Sequence, residues 1–64
     1  MKKYKLLLVG VLEQNYRDFN IICFEKLEDA QKRLKFYRSN GGICQMIIFK
    51  CDENNWKIIE KEDR

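Results

Sequence analysis

Residues Tyr4–Leu12 (YKLLLVGVL) form the first apolar run of the chain, rich in Leu and Val and carrying a single Gly. A short run of this kind predicts a mostly buried strand. Glu13–Asp18 (EQNYRD) is polar and predicts a turn, and Phe19–Phe24 (FNIICF), largely aromatic and β-branched, predicts a second strand. A link of six residues suits a hairpin, which makes these two strands antiparallel neighbours.

The period then changes. Leu27, Ala30, Leu34 and Tyr37 recur at spacings of three and four residues, and at 100° per residue they fall within an arc of roughly 80°. Glu28 with Lys32, and Asp29 with Arg33, add acid-first i,i+4 pairs. Ser39-Asn40-Gly41-Gly42 predicts the end of this helix, because Asn and Gly tolerate the left-handed conformation that closes one. Its start is less well marked: Glu25 and Lys26 are poor N-caps, although Glu28 and Asp29 suit the positive end of the dipole. Ile43–Cys51 (ICQMIIFKC) predicts a third strand, Asp52–Asn55 a hairpin loop, Trp56–Lys61 (WKIIEK) a fourth strand, and Glu62-Asp63-Arg64 a frayed tail. The whole reads as one α+β domain over residues 1–64, ββαββ, with a four-stranded, mainly antiparallel sheet and one helix on one face. Strand order stays open.

Side chains alternate across a strand, which sorts each run into two faces. Leu6 and Leu8 oppose Leu7, Val9 and Val11; Phe19, Ile21 and Cys23 oppose Ile22 and Phe24. Ile43, Ile47 and Phe49 oppose Cys44, Met46 and Ile48; Trp56 and Ile58 oppose Ile59. Both faces are therefore apolar in the first three strands, and one helix covers only one of them. The second face would expose more apolar surface than a soluble monomer ordinarily shows. Packing against a copy of itself would bury that face and enlarge a small core, so a homodimer is expected, with Leu7, Val9, Val11, Ile22, Met46 and Ile48 as the interface set and their opposites serving equally. A bulge at Gly10 that returns some of these residues to a single core is the competing account.

Composition narrows the classes. A chain of 64 residues buries only about 60% of its unfolded surface on folding. Hydrophobic residues are 45% and charged residues 36%, as in a folded soluble chain, and the net charge is +3. With no His, the Ser-His-Asp and Cys-His catalytic arrangements and His metal ligands are excluded. The apolar run Leu6–Leu12 is too short to cross a bilayer and no small-residue cleavage site follows it, so a cytoplasmic protein without membrane contact is expected. Phe, Tyr, Met, Ile, Asn and Lys make up 30 of the 64 residues, and Gly, Ala, Arg and Pro only 8. The first group has A/T-rich codons, which points to a low-GC bacterium, its plasmid or its phage.

Candidate chemistry is sparse. Three cysteines without CxxC spacing fall short of a structural zinc set and of a disulfide framework, and read as small buried hydrophobes. Gly41-Gly42 follows a helix, the reverse of the order that cradles phosphate. Neither a cofactor, a metal nor an enzymatic activity is expected. Lys2, Lys3 and Lys5, with Lys32, Arg33, Lys35 and Arg38 on the helix and Tyr16, Tyr37 and Trp56 for stacking, allow a nucleic-acid-binding module as an alternative. A small-ligand sponge with its pocket at a dimer interface is a further alternative. Phe36 lies opposite Leu27 and Leu34 on the helical wheel and is a candidate contact residue. The leading expectation is a small homodimeric protein-binding or inhibitory protein, phage- or mobile-element-encoded, acting by stoichiometric contact.

Overall fold

The computed structural model describes residues 2–13, 16–39 and 42–63, with side chains throughout except at 11–13 and 16–18. The chain runs β1 (Tyr4–Glu13), β2 (Tyr16–Phe24), α1 (Leu27–Arg38), β3 (Ile43–Asp52) and β4 (Asn55–Asp63). The four strands form one sheet in the order β2-β1-β3-β4, and every neighbouring pair is antiparallel. The fold is α+β, as the pattern predicts. β1 and β3 hold the two inner positions and carry the buried strand residues, Leu6, Leu8 and Val9 on one and Met46, Ile47 and Ile48 on the other. β2 and β3 both run antiparallel to β1 and hence parallel to each other. No hairpin can join such a pair, and α1 is the crossover that does.

α1 starts at Lys26, whose backbone is extended (φ −120, ψ 140) and whose side chain makes no capping bond. Glu28 and Asp29 in the first turn, and Lys35 and Arg38 in the last, complement the helix dipole instead. The helix ends at Ser39, whose N–H donates to the Tyr37 carbonyl; the expected stop residues Asn40 and Gly41 lie outside the described residues. Ala30 and Leu34 are buried from the helix side, with Leu27 and Tyr37 partly so. They meet Leu6, Leu8, Met46 and Ile48, bordered by Tyr4, Ile22, Phe24 and Ile43.

Boundaries differ from the pattern at the β3–β4 loop, where Asp52 pairs with Asn55 and only Glu53-Asn54 stay between the strands, and at two further places. Glu13–Asp18 is not a six-residue turn: β1 continues to Glu13 and β2 begins at Tyr16, which pair with each other after a register shift at Leu12. Nor is Glu62-Asp63 frayed, since Glu62 pairs with Met46 and Asp63 with Gln45. Arg38 Nε donates to both Glu62 carboxylate oxygens at 3.1 and 3.2 Å, and Gln45 Nε2 donates to Asp63 Oδ1 at 2.6 Å. In these two places backbone ladder bonds carry polar residues of low strand propensity into a strand.

A further correction concerns the sheet faces. Cross-strand partners share a face, and the register pairs Leu6 with Ile22 and Ile48, and Leu8 with Met46. Ile22, Met46 and Ile48 therefore lie beneath α1, in or against the core cluster, and not on the uncovered face. A bulge does occur opposite Gly10: the pairing jumps from Val9↔Gln45 to Gly10↔Ile43, leaving Cys44 as the extra residue. It turns Ile43 from the side of Ile47 and Phe49 to the core. It moves no more of the uncovered face than that.

Candidate binding surface on the uncovered sheet face

The face away from α1 is built in rows across the sheet. Phe19, Val9, Gln45 and Asp63 form one row; Ile21, Leu7, Ile47 and Lys61 the next. Cys23, Lys5, Phe49 and Ile58 follow, and Cys51 pairs with Trp56 beside them. Between Phe49↔Ile58 and Ile48↔Glu60 a second bulge leaves Ile59 as the extra residue of β4. It rotates β4 so that Glu60 and Glu62 share the helix-covered side.

Burial along these rows is uneven. In the centre Val9 is 3% and Ile47 8% exposed, shielded by their neighbours, whereas on the outer strands Phe19 is 64%, Ile21 57%, Ile58 57% and Trp56 40% exposed. The accessible apolar atoms therefore form two groups, Phe19 and Ile21 on β2 and Trp56 and Ile58 on β4, on either side of the buried centre. Charge lies within the rows: the Lys5 ammonium is 4.1 Å from the centre of the Trp56 ring, and Lys61, paired with Ile47, has its Nζ 3.8 Å from Asp63 Oδ2.

Of the interface residues expected from sequence, Leu7 and Val9 lie on this face, while the side chain of Val11 lies outside the described residues. The register also places Phe19, Ile21, Phe49, Trp56 and Ile58 here. Strand-by-strand alternation grouped them correctly within each strand but could not align the groups between strands. Phe36 is elsewhere: it is 70% exposed on the flank of α1, edge-on to Tyr37 at 5.2 Å. It lines a groove of about 650 Å³ between α1 and β2 with Phe24, Asp29, Lys32 and Arg33.

The basic residues proposed for nucleic acid are not brought onto one surface. Lys5 is on the uncovered face, stacked over Trp56, with Lys2 and Lys3 exposed at the start of β1. Lys32 borders the groove beside β2. Lys35 and Arg38 flank the other side of α1, next to Glu60 and Glu62, and Arg38 is bound to Glu62. Cys23 is exposed; Cys44, half-buried, donates its thiol to the Val9 carbonyl at 3.3 Å. Among the described residues no three Cys, Asp or Glu are grouped to hold a metal ion, and no helix is long and apolar enough to cross a membrane. Comparison with protein-family models, with curated proteins and with solved structures gives no match to this chain.

Proposed function

We propose that this chain is a small homodimeric protein that acts by stoichiometric contact with another protein, through the uncovered face of its sheet. The observation that carries this reading is the set of exposed apolar side chains on that face, Phe19, Ile21, Trp56 and Ile58, around Leu7, Ile47 and Phe49. Aromatic and aliphatic side chains held on a sheet are preorganised, so binding costs little side-chain entropy. An inhibitory role in the cytoplasm of a low-GC bacterium, encoded by a phage or mobile element, agrees with the codon bias of the composition.

The test is capture from cells of the source with the wild-type chain, Trp56→Ser and Ile58→Glu, followed by reconstitution from purified components. A protein retained by wild type at fixed stoichiometry and lost with both variants is the expected result. Retention that survives both substitutions, or that disappears on nuclease treatment and falls steeply with salt, would refute the reading; the second outcome would point to nucleic acid.

A further inference from the structure

The two edges of the sheet are unequal. β4 is protected in the ways that edge strands usually are: a bulge at Ile59, and charged residues at Lys57, Glu60, Lys61, Glu62 and Asp63. β2 is not. From Phe19 to Phe24 it carries no charge and no Pro, and it pairs with β1 residue for residue from Tyr4↔Phe24 to Val11↔Arg17. As an outer strand it turns alternate N–H and C=O groups away from β1, a straight template for another strand.

We propose that two copies of this chain join through their β2 edges, antiparallel about a two-fold axis, so that four strands from each make one continuous sheet. This specifies the homodimer of the proposed function and rests on that reading; it uses the β2 edge, with Phe19 and Ile21 at the seam, and leaves Trp56 and Ile58 on β4 to the partner. An antiparallel pair of identical strands is self-complementary, because each donates where the other accepts. With Phe19 of one copy opposite Ile21 of the other, the exposed apolar side chains of β2 meet on the uncovered face.

The groove between α1 and β2 is the second, independent observation. Its wall is Phe24 below and Asp29, Lys32, Arg33 and Phe36 along the helix. Pairing of the two β2 strands brings a second α1 alongside, running in the opposite direction. The mid-helix Lys32 and Arg33 of each copy then border the seam, with Asp29 one turn before them on the same flank. The largely exposed Phe36 gains a covered place between the two helices. Packing two sheets face to face would leave the β2 edge, this groove and Phe36 unused.

Sedimentation equilibrium over a hundredfold range of concentration, on wild type, Phe36→Glu and Ile58→Glu, tests the arrangement. Phe36 is on the helix side near β2 and Ile58 on the uncovered face of β4, and both are exposed, so each variant should keep its far-UV circular dichroism. Wild type and Ile58→Glu should sediment at about twice the 7.8 kDa chain mass, and Phe36→Glu should dissociate at least about tenfold more readily. Hydrogen exchange of β2 amides in wild type should slow as concentration rises, with β4 unaffected. A wild type that stays monomeric throughout, a dimer that Ile58→Glu dissociates and Phe36→Glu does not, or concentration-dependent protection of β4 instead of β2 would each overturn the proposal. Failure here leaves the capture experiment free to succeed, and loss of capture by Ile58→Glu with an intact dimer would concern the binding face alone.

Discussion

Lys5 reaches across β3 to lay its ammonium over the Trp56 ring, 4.1 Å from the ring centre, and so ties β1 to β4, two strands away. The ring's negative face attracts the cation, and the Lys stem covers apolar surface beneath it. Lys5→Met keeps the stem and removes the charge. Its stability in urea should fall by about 0.5–1 kcal/mol. Trp56 is the chain's single Trp, so its fluorescence should report the loss directly. Unchanged emission would show that the stacking does not persist in solution.

The β3–β4 hairpin turns through Glu53 and Asn54, both at positive φ (50 and 69) between the paired residues Asp52 and Asn55. Two left-handed residues in a two-residue loop make a type I′ turn, which matches the sheet's twist and favours Asn-Gly. Asn54 suits its position and Glu53 does not. Replacing the pair by Glu53→Asn with Asn54→Gly should raise stability by about 1 kcal/mol, read as a higher denaturation midpoint with an unchanged slope. A lower midpoint would mean that the turn is of another type.

A Cβ built on Gly10 would lie 3.0 Å from the Gly42 carbonyl oxygen. This close approach comes from the bulge that turns Ile43 into the core. Gly10→Ala gains about 0.5–1 kcal/mol of backbone entropy but forces the start of β3 outward, and the backbone there gives less readily than a side chain. The variant should be less stable by about 1 kcal/mol, with amide exchange faster around Ile43. A gain in stability would show that the bulge is plastic.

Leu34 is 2% exposed at the centre of the core and Ile58 57% exposed on β4. Leu34→Asp would bury an unpaired carboxylate and should leave the chain unfolded at every concentration. Ile58→Asp should remain folded, within about 0.5 kcal/mol of wild type. Val9, although on the uncovered face, is only 3% exposed, so Val9→Asp should behave like the core substitution. Thermal unfolding of the three variants separates these outcomes, and a Val9→Asp chain as stable as wild type would show that the centre of that face is more open than its burial indicates.

The element order was legible in the chain because each element declares itself locally. Apolar runs of strand length, the three- and four-residue spacing from Leu27 to Tyr37, and the Asp52–Asn55 turn are properties of a few consecutive residues. The weak N-cap at Lys26 and the split of the first three strands into two apolar faces are local in the same way. What the chain alone left open was relational. Alternation sorts Leu6 from Leu7 but cannot say whether Ile22 lies beside one or the other, because both faces of β1 and β2 are apolar and a one-residue slip is invisible in hydrophobicity. Only the register, Leu6↔Ile22 and Leu7↔Ile21, sends Ile22, Met46 and Ile48 under the helix and leaves Phe19, Ile21 and Ile58 outside. Strand order, the bulges at Cys44 and Ile59, and the groove between α1 and β2 arise from long-range backbone pairing, which has no counterpart in any stretch of neighbouring residues.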